Sequence, residues 1–161
     1  MIANDPRQVS NDSASRAPNM TRDFLFLEKL DRFSDIGPLF LRVLTGAFLV
    51  YGVVDNVASI ERMLEFSDFL AANRFPAPDF MAPMSVYIQL ACGACLILGF
   101  LTRLAGTVIA LHFVVAVVMV HWSQDFRGWW PAIVLVAIGV QFALSGAGRI
   151  SLDAILTRSQ R

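Results

Sequence analysis

Charge is what this chain has least of. Only 16% of its 161 residues are Asp, Glu, Lys or Arg, against about 25% in a typical soluble domain. The thirteen basic and thirteen acidic side chains cancel, which removes the electrostatic footprint of a nucleic-acid binder. Two cysteines are too few for a disulfide-stapled miniprotein or a four-Cys zinc module. No G-x-S-x-G elbow, P-loop, G-x-G-x-x-G or H-E-x-x-H is present, so the commonest hydrolase, nucleotide and zinc-protease chemistries have no foothold. The length allows one domain.

The charges that exist are unevenly placed. Between Phe80 and Gly148 only Arg103, Asp125 and Arg127 are charged, and they leave neutral runs of 23, 21 and 21 residues. A helix crossing a hydrocarbon core of ~30 Å needs roughly 20 apolar residues, and none of these runs carries the recurring polar face of a soluble helix. A further stretch, Ile36 to Val57, is apolar apart from Arg42 and Asp55. Thirteen residues, roughly 20 Å of helix, separate those two. They suit the two ends of one span, Arg42 snorkelling to one interface and Asp55 near the other. The expected fold is all-α: an integral-membrane antiparallel four-helix bundle with spans near 38–57, 84–101, 104–122 and 129–147.

Short connections at Gly99–Arg103 and Ser123–Gly128 make neighbouring spans antiparallel. Arg7, Arg16, Arg22, Lys29, Arg32, Arg103, Arg149, Arg158 and Arg161 then share one side, opposite Arg62, Arg74 and Arg127. The positive-inside rule puts both termini in the cytoplasm, with Trp122, Trp129 and Trp130 as an aromatic belt at the outer interface. Residues 1–22 read as a disordered cytoplasmic tail, 23–35 as an amphipathic segment on the inner surface, 36–156 as the four-helix domain and 157–161 as a second tail. Between the first two spans, Ile60, Met63, Leu64, Phe66, Phe69 and Leu70 recur at helical spacing. They predict a short amphipathic interfacial helix, stopped by Pro76, Pro78 and Pro83. Ala91/Cys95/Gly99 and Gly139/Ala143/Ala147 read as small-residue packing seams. Ser151 is placed to cap a short helix, with Arg149 and Asp153 as a surface pair.

Polar side chains within a bilayer are the natural candidates for function. Tyr51, Asp55, Asn56, Gln89 and His121 all fall in the outer third of the spans. They line either a polar pocket, with Asp55 and His121 as a titrating pair, or only interfacial water. Cys92-Gly93-Ala94-Cys95 puts two thiols on nearly one helix face, which suggests a redox dithiol. An apolar setting without a cationic neighbour instead keeps thiols protonated, and cysteine also serves as a small packing residue. His112 and His121 are nine residues apart; about 900° of ideal helix puts them on opposite faces. His112 and Gln141 read as interhelical hydrogen-bonding groups, His112 alternatively as a haem ligand completed from another chain, and no set of residues has metal-ligand spacing.

Four segments carry a resemblance: "LRVLTGAFLVYGV" on the first span, "RFPAP" in the outer loop, "GACLILGFLTRLAG" across the second and third spans, and "SGAGRISLD" after the fourth. In this order and spacing the chain resembles the DoxX family of small four-span bacterial inner-membrane proteins, from about Leu41 to Leu156. The resemblance implies a link to redox partners, thiosulfate oxidation with quinone reduction in one branch and oxidative-stress complexes in another. It makes quinone the cofactor to consider. The chain departs from the family where Asp55 replaces a basic residue and Gln89 an acidic one. The function expected is an accessory subunit of a membrane redox complex, with the lipid bilayer and other proteins as partners and no catalytic site of its own. The alternatives are a small oxidoreductase using Cys92/Cys95 or the outer polar pocket, and a non-catalytic assembly or scaffold protein.

Overall fold

The computed structural model describes residues 34–122 and 124–158. The tail expected over 1–22, all but the last two residues of the segment 23–35, and the final three residues lie outside it. Every regular element among the described residues is helical: α1 (Ile36–Tyr51), α2 (Val54–Ala58), α3 (Ile60–Ala72), α4 (Pro78–Leu98), α5 (Thr102–Ala116), α6 (Phe126–Ser145) and α7 (Leu152–Arg158). One π-helical turn, Val117–His121, prolongs α5. With that turn, α4, α5 and α6 run 21, 20 and 20 residues and are apolar enough to cross a membrane, which is membrane length.

α1 departs from the expected span 38–57. It stops after 16 residues, roughly 24 Å of helix. Gly52, whose N–H returns to the Phe48 carbonyl at 2.9 Å, ends it. Val53 then leaves the helical region at φ −127°, and Asp55 and Asn56 follow. Glycine, β-branched valines and short polar side chains each weaken a helix interior, and here they come in succession. α4 departs the other way, starting six residues before the expected 84. Pro76 does lie in the connection after α3. Pro78, however, occupies the first turn of α4, and Pro83 sits inside it. A first-turn proline gives up only an amide that has no helical partner, so Pro78 opens a helix where it was expected to stop one.

The long helices form two tight pairs. α1 crosses α4 at Gly46 and Gly93, where a Cβ on Gly46 would sit 2.6 Å from the Gly93 carbonyl oxygen. α5 crosses α6 at Gly106 and Gly139, where a Cβ on Gly139 would sit 2.8 Å from both the Gly106 carbonyl oxygen and the Ala110 nitrogen. Lipid offers no hydrophobic advantage to helix association, so contact of this kind, backbone against backbone, has to provide it. The seam on α6 uses Gly139 and Ala143 as expected. On α4 it lies one face over, at Cys92, Gly93 and Leu96, and Ala91 is exposed. The shared core is Leu49, Cys92, Leu96, Ala105, Ile109 and Phe142, drawn from all four long helices.

One end of the bundle is tied by polar contacts. Between α4 and α5 the chain turns at Gly99, φ +68°. The Phe100 N–H reaches the Cys95 carbonyl at 2.9 Å and the Gly99 N–H reaches Leu96 at 3.2 Å, the double bond of a glycine-terminated helix. A Cβ here would meet the Arg42 guanidinium at 2.6 Å, so space and backbone angle both require glycine. Arg42 does not snorkel outward. It is 2% exposed and points inward, Nη1 donating to the Ala147 carbonyl at 2.6 Å and Nη2 to Ile150 at 3.0 Å. Those carbonyls follow the end of α6, beyond the reach of its own amides, and a buried guanidinium provides the donors they lack.

α7 is fastened to the same place. The Ser151 hydroxyl accepts from the Ala154 N–H at 3.1 Å, as a cap should. Asp153 does not pair with Arg149, whose Nε lies 3.8 Å from Asp35 instead. Its carboxylate accepts from the Leu101 and Thr102 N–H groups at 2.8 and 3.0 Å, and its own N–H donates to Gly99 at 2.9 Å. A carboxylate on the first amides of α5 meets the positive end of that helix.

Candidate binding groove

Toward the opposite end the two pairs part. There α3, α4 and α5 together line a groove of about 480 Å³. Phe66, Phe69 and Leu70 of α3 form one wall. Met84, Ser85, Ile88 and Gln89 of α4 form the second, and Leu111, His112, Val115 and His121 of α5 and its π turn form the third. Ser59 caps α3, accepting from the Arg62 N–H at 3.4 Å, and the buried Ser67 hydroxyl ties the helix to α4 by donating to Asp79 at 2.7 Å. Ser67 and Leu70 are its buried residues, and the rest of the helix is outside the core.

The groove is apolar except for a few side chains. Ser85 Oγ and His112 Nε2 lie 3.4 Å apart across the α4–α5 interface, and Gln89 is one turn along α4 from Ser85. At the far end, His121 Nδ1 is 2.8 Å from Gln124 Oε1. The two histidines thus share one groove, where ideal helical rotation put them on opposite faces. The π turn accounts for the difference. It accommodates an extra residue per turn and takes roughly 100° out of the rotation between them.

The structure separates the sequence-derived candidates. Gln89 and His121 line the groove. Asp55 and Asn56 face Arg62: Asp55 Oδ2 lies 3.8 Å from Arg62 Nε, and Asn56 Nδ2 donates to the Arg62 carbonyl at 3.1 Å. Arg62 also donates to Glu65 at 2.9 Å, and this hydrogen bond, with the charges of Glu65 and Asp55, holds its guanidinium pKa above the ordinary value. Tyr51, 81% exposed, lies outside both groups. Cys92 and Cys95 are free thiols, Cys92 in the core and Cys95 packed against it, neither in the groove. Among the described residues no three His, Cys, Asp or Glu side chains approach closely enough to hold a metal ion.

Ser85 is the polar groove residue that sequence reasoning passes over, and it reads His112 chiefly as a helix-to-helix contact. The signal lay in the turn. Counting fourteen residues back from Gly99 and thirteen forward reaches Ser85 and His112, and antiparallel neighbours place such positions at one level.

Apolar helices of membrane length, packed through glycines around a groove that opens among them, define a multi-pass membrane protein. The DoxX family profile matches residues 37–122, more than half of the chain, and the chain belongs to that family. Over 134 residues it is 27% identical to a protein of Bacillus subtilis (strain 168) named "Putative oxidoreductase CatD", covering 82% of this chain and 96% of that one. No solved structure matches it.

Proposed function

We propose that the chain crosses a bacterial inner membrane four times with both termini in the cytoplasm. There it serves as an accessory subunit of a redox-linked assembly and holds a quinone-class carrier in the groove. The observation that carries this reading is the pairing of Ser85 with His112 inside an otherwise apolar groove. Lipophilic ligands are typically held this way, by hydrophobic walls and a few oriented polar groups. The unequal distribution of arginines supports the orientation. The name of the Bacillus relative agrees with redox chemistry. In this reading α1 and α2 together make the first crossing, bent at Gly52, and α3 lies in the interface.

The residues present fit such a guest. His112 and Gln89 can donate to its carbonyl oxygens, and Phe66 and Phe69 shield it from water. A quinone, when bound, supplies reversible uptake of electrons and protons; the protein's own part is to hold and orient it. Purified protein in mild detergent, titrated with a short-chain ubiquinone analogue, should bind saturably. His112→Leu should weaken binding about tenfold, the equivalent of one hydrogen bond to a buried polar group. Uptake no greater than that of empty micelles, or equal affinity in the variant, would refute the assignment. A stoichiometric partner retained on purification tests the accessory role.

The relative's name also agrees with a second reading, a small oxidoreductase, for which the sequence offers Cys92 and Cys95 or the outer polar side chains. Alkylation of intact membranes before and after reduction decides its dithiol form, because a working dithiol must gain reactivity on reduction.

A further inference from the structure

Far from the groove, the chain's last described helix and Ile150 just before it present an apolar face on which none of the described residues packs closely. Ile150, Leu152, Ile155 and Leu156 are 50, 40, 64 and 52% exposed. α7 cannot roll over to bury them. Its Asp153 is bonded through both carboxylate oxygens and its N–H to Leu101, Thr102 and Gly99, which pins the opposite face to the bundle.

Those same contacts set its level. Gly99 to Thr102 is where the apolar tracts of α4 and α5 end, the depth at which hydrocarbon gives way to headgroups if these helices span a bilayer. The charges around the helix match that boundary. Arg149, which precedes α7, stays 76% exposed beside Asp35 at 3.8 Å; Arg158 ends the helix, and the one carboxylate within it is already engaged by the α5 amides. Arg103 stands beside it, in a cleft it shares with Asp153 and Thr157. A second copy of the chain is a poor occupant for this face. Seven residues expose far less than the ~800 Å² per partner that a stable interface buries.

We propose that α7 is a docking surface for anionic phospholipid. Its Ile155–Leu156 face lies among the acyl chains beside the α4–α5 turn, and Arg149 and Arg158 rest on acidic headgroups. Short amphipathic helices with basic flanks bind membranes in this way, and tethering to the bundle spares α7 the entropic cost of finding the surface. The inference rests on the membrane-spanning reading, and its test separates the two.

The full chain carrying Ile155→Cys, labelled with an environment-sensitive fluorophore, is reconstituted into vesicles of phosphatidylcholine alone and of phosphatidylcholine with phosphatidylglycerol. The unsubstituted chain, treated identically, gives the background from Cys92 and Cys95. The expected result is quenching by brominated lipid, protection from aqueous iodide, and stronger protection when phosphatidylglycerol is present. Arg149→Gln and Arg158→Gln should each lower the ratio of protected to accessible probe about fivefold in the acidic vesicles, the equivalent of about 1 kcal/mol per arginine. Neither should alter the ratio in neutral ones. Protection independent of lipid charge would overturn the proposal, as would protection that appears only as protein density rises. A chain that inserts while its probe stays open to iodide refutes the docking of α7; a chain that fails to insert refutes the membrane-spanning reading beneath it.

Discussion

Removing the Arg42 side chain should cost more than any other single change at the tied end of the bundle, and the structure shows why. The guanidinium is 2% exposed and donates at 2.6 and 3.0 Å to two carbonyls that follow α6. Burying a cation costs several kcal/mol. Against that stand two charge-assisted hydrogen bonds at about 1.5–3 kcal/mol each and attraction to the nearby Asp153 carboxylate. The two sides nearly balance while Arg42 is present, but its removal is not neutral, because the Ala147 and Ile150 carbonyls are left without donors. Arg42→Ala should therefore destabilise by about 3–5 kcal/mol. Arg42→Lys, a point charge that satisfies one carbonyl at a time, should lose roughly half of that. Arg42→Met fills the space and should fall between Lys and Ala. The assay is thermal unfolding in mild detergent, followed with a thiol-reactive dye that reports exposure of the buried Cys92. A methionine variant as stable as the parent would refute the reasoning, since Arg42 would then only fill volume.

Three further outcomes follow from the geometry. Gly139→Leu drives a side chain between backbones that a bare Cβ would already meet at 2.8 Å; it should destabilise the α5–α6 pair by about 1–3 kcal/mol or more, seen as loss of the monodisperse species on size exclusion, and normal behaviour would contradict the close crossing. Asp153→Asn keeps one acceptor for two amides and gives up the charge, so it should cost about 1 kcal/mol in the same thermal assay, and an unchanged midpoint would deny the capping role. Deleting Met119 should return the π turn to α-helical register and swing His121 by roughly 100°. Binding of the quinone analogue should then weaken as much as in His121→Leu, and unaltered affinity would remove His121 from the groove's function.

The helices of the three uncharged runs were legible to within a few residues, apart from the early start of α4, because bilayer thickness sets the length of such a run; α1, which carries Arg42, stops six residues short of its expected end. Local rules failed where a distant partner decides. Arg42 reads as a snorkelling residue until carbonyls more than a hundred positions away are seen to need its donors. Asp153 reads as the surface partner of Arg149 until the α4–α5 turn presents two amides to it. The groove was half visible. Gln89 and His121 were chosen for depth alone, whereas the bearing of His121 depends on one turn of π-helix that no periodicity in Val117–His121 announces. Asp55 and Asn56 were grouped with His121 by depth too, and the break at Gly52 carries them toward Arg62 instead.

The two ends of this molecule bear change differently. Where Arg42, Gly99, Ser151 and Asp153 interlock, a substitution at one disturbs the anchorage of three helices together, and little variation can be absorbed. Around Ser85, Gln89 and His112 the walls are side chains facing open space, with the backbone crossings at Gly106 and Gly139 lying elsewhere. Related chains can therefore diverge in what they accommodate while keeping a common frame, and differences in specificity among them should collect at the groove and leave the knot at Gly99 alone.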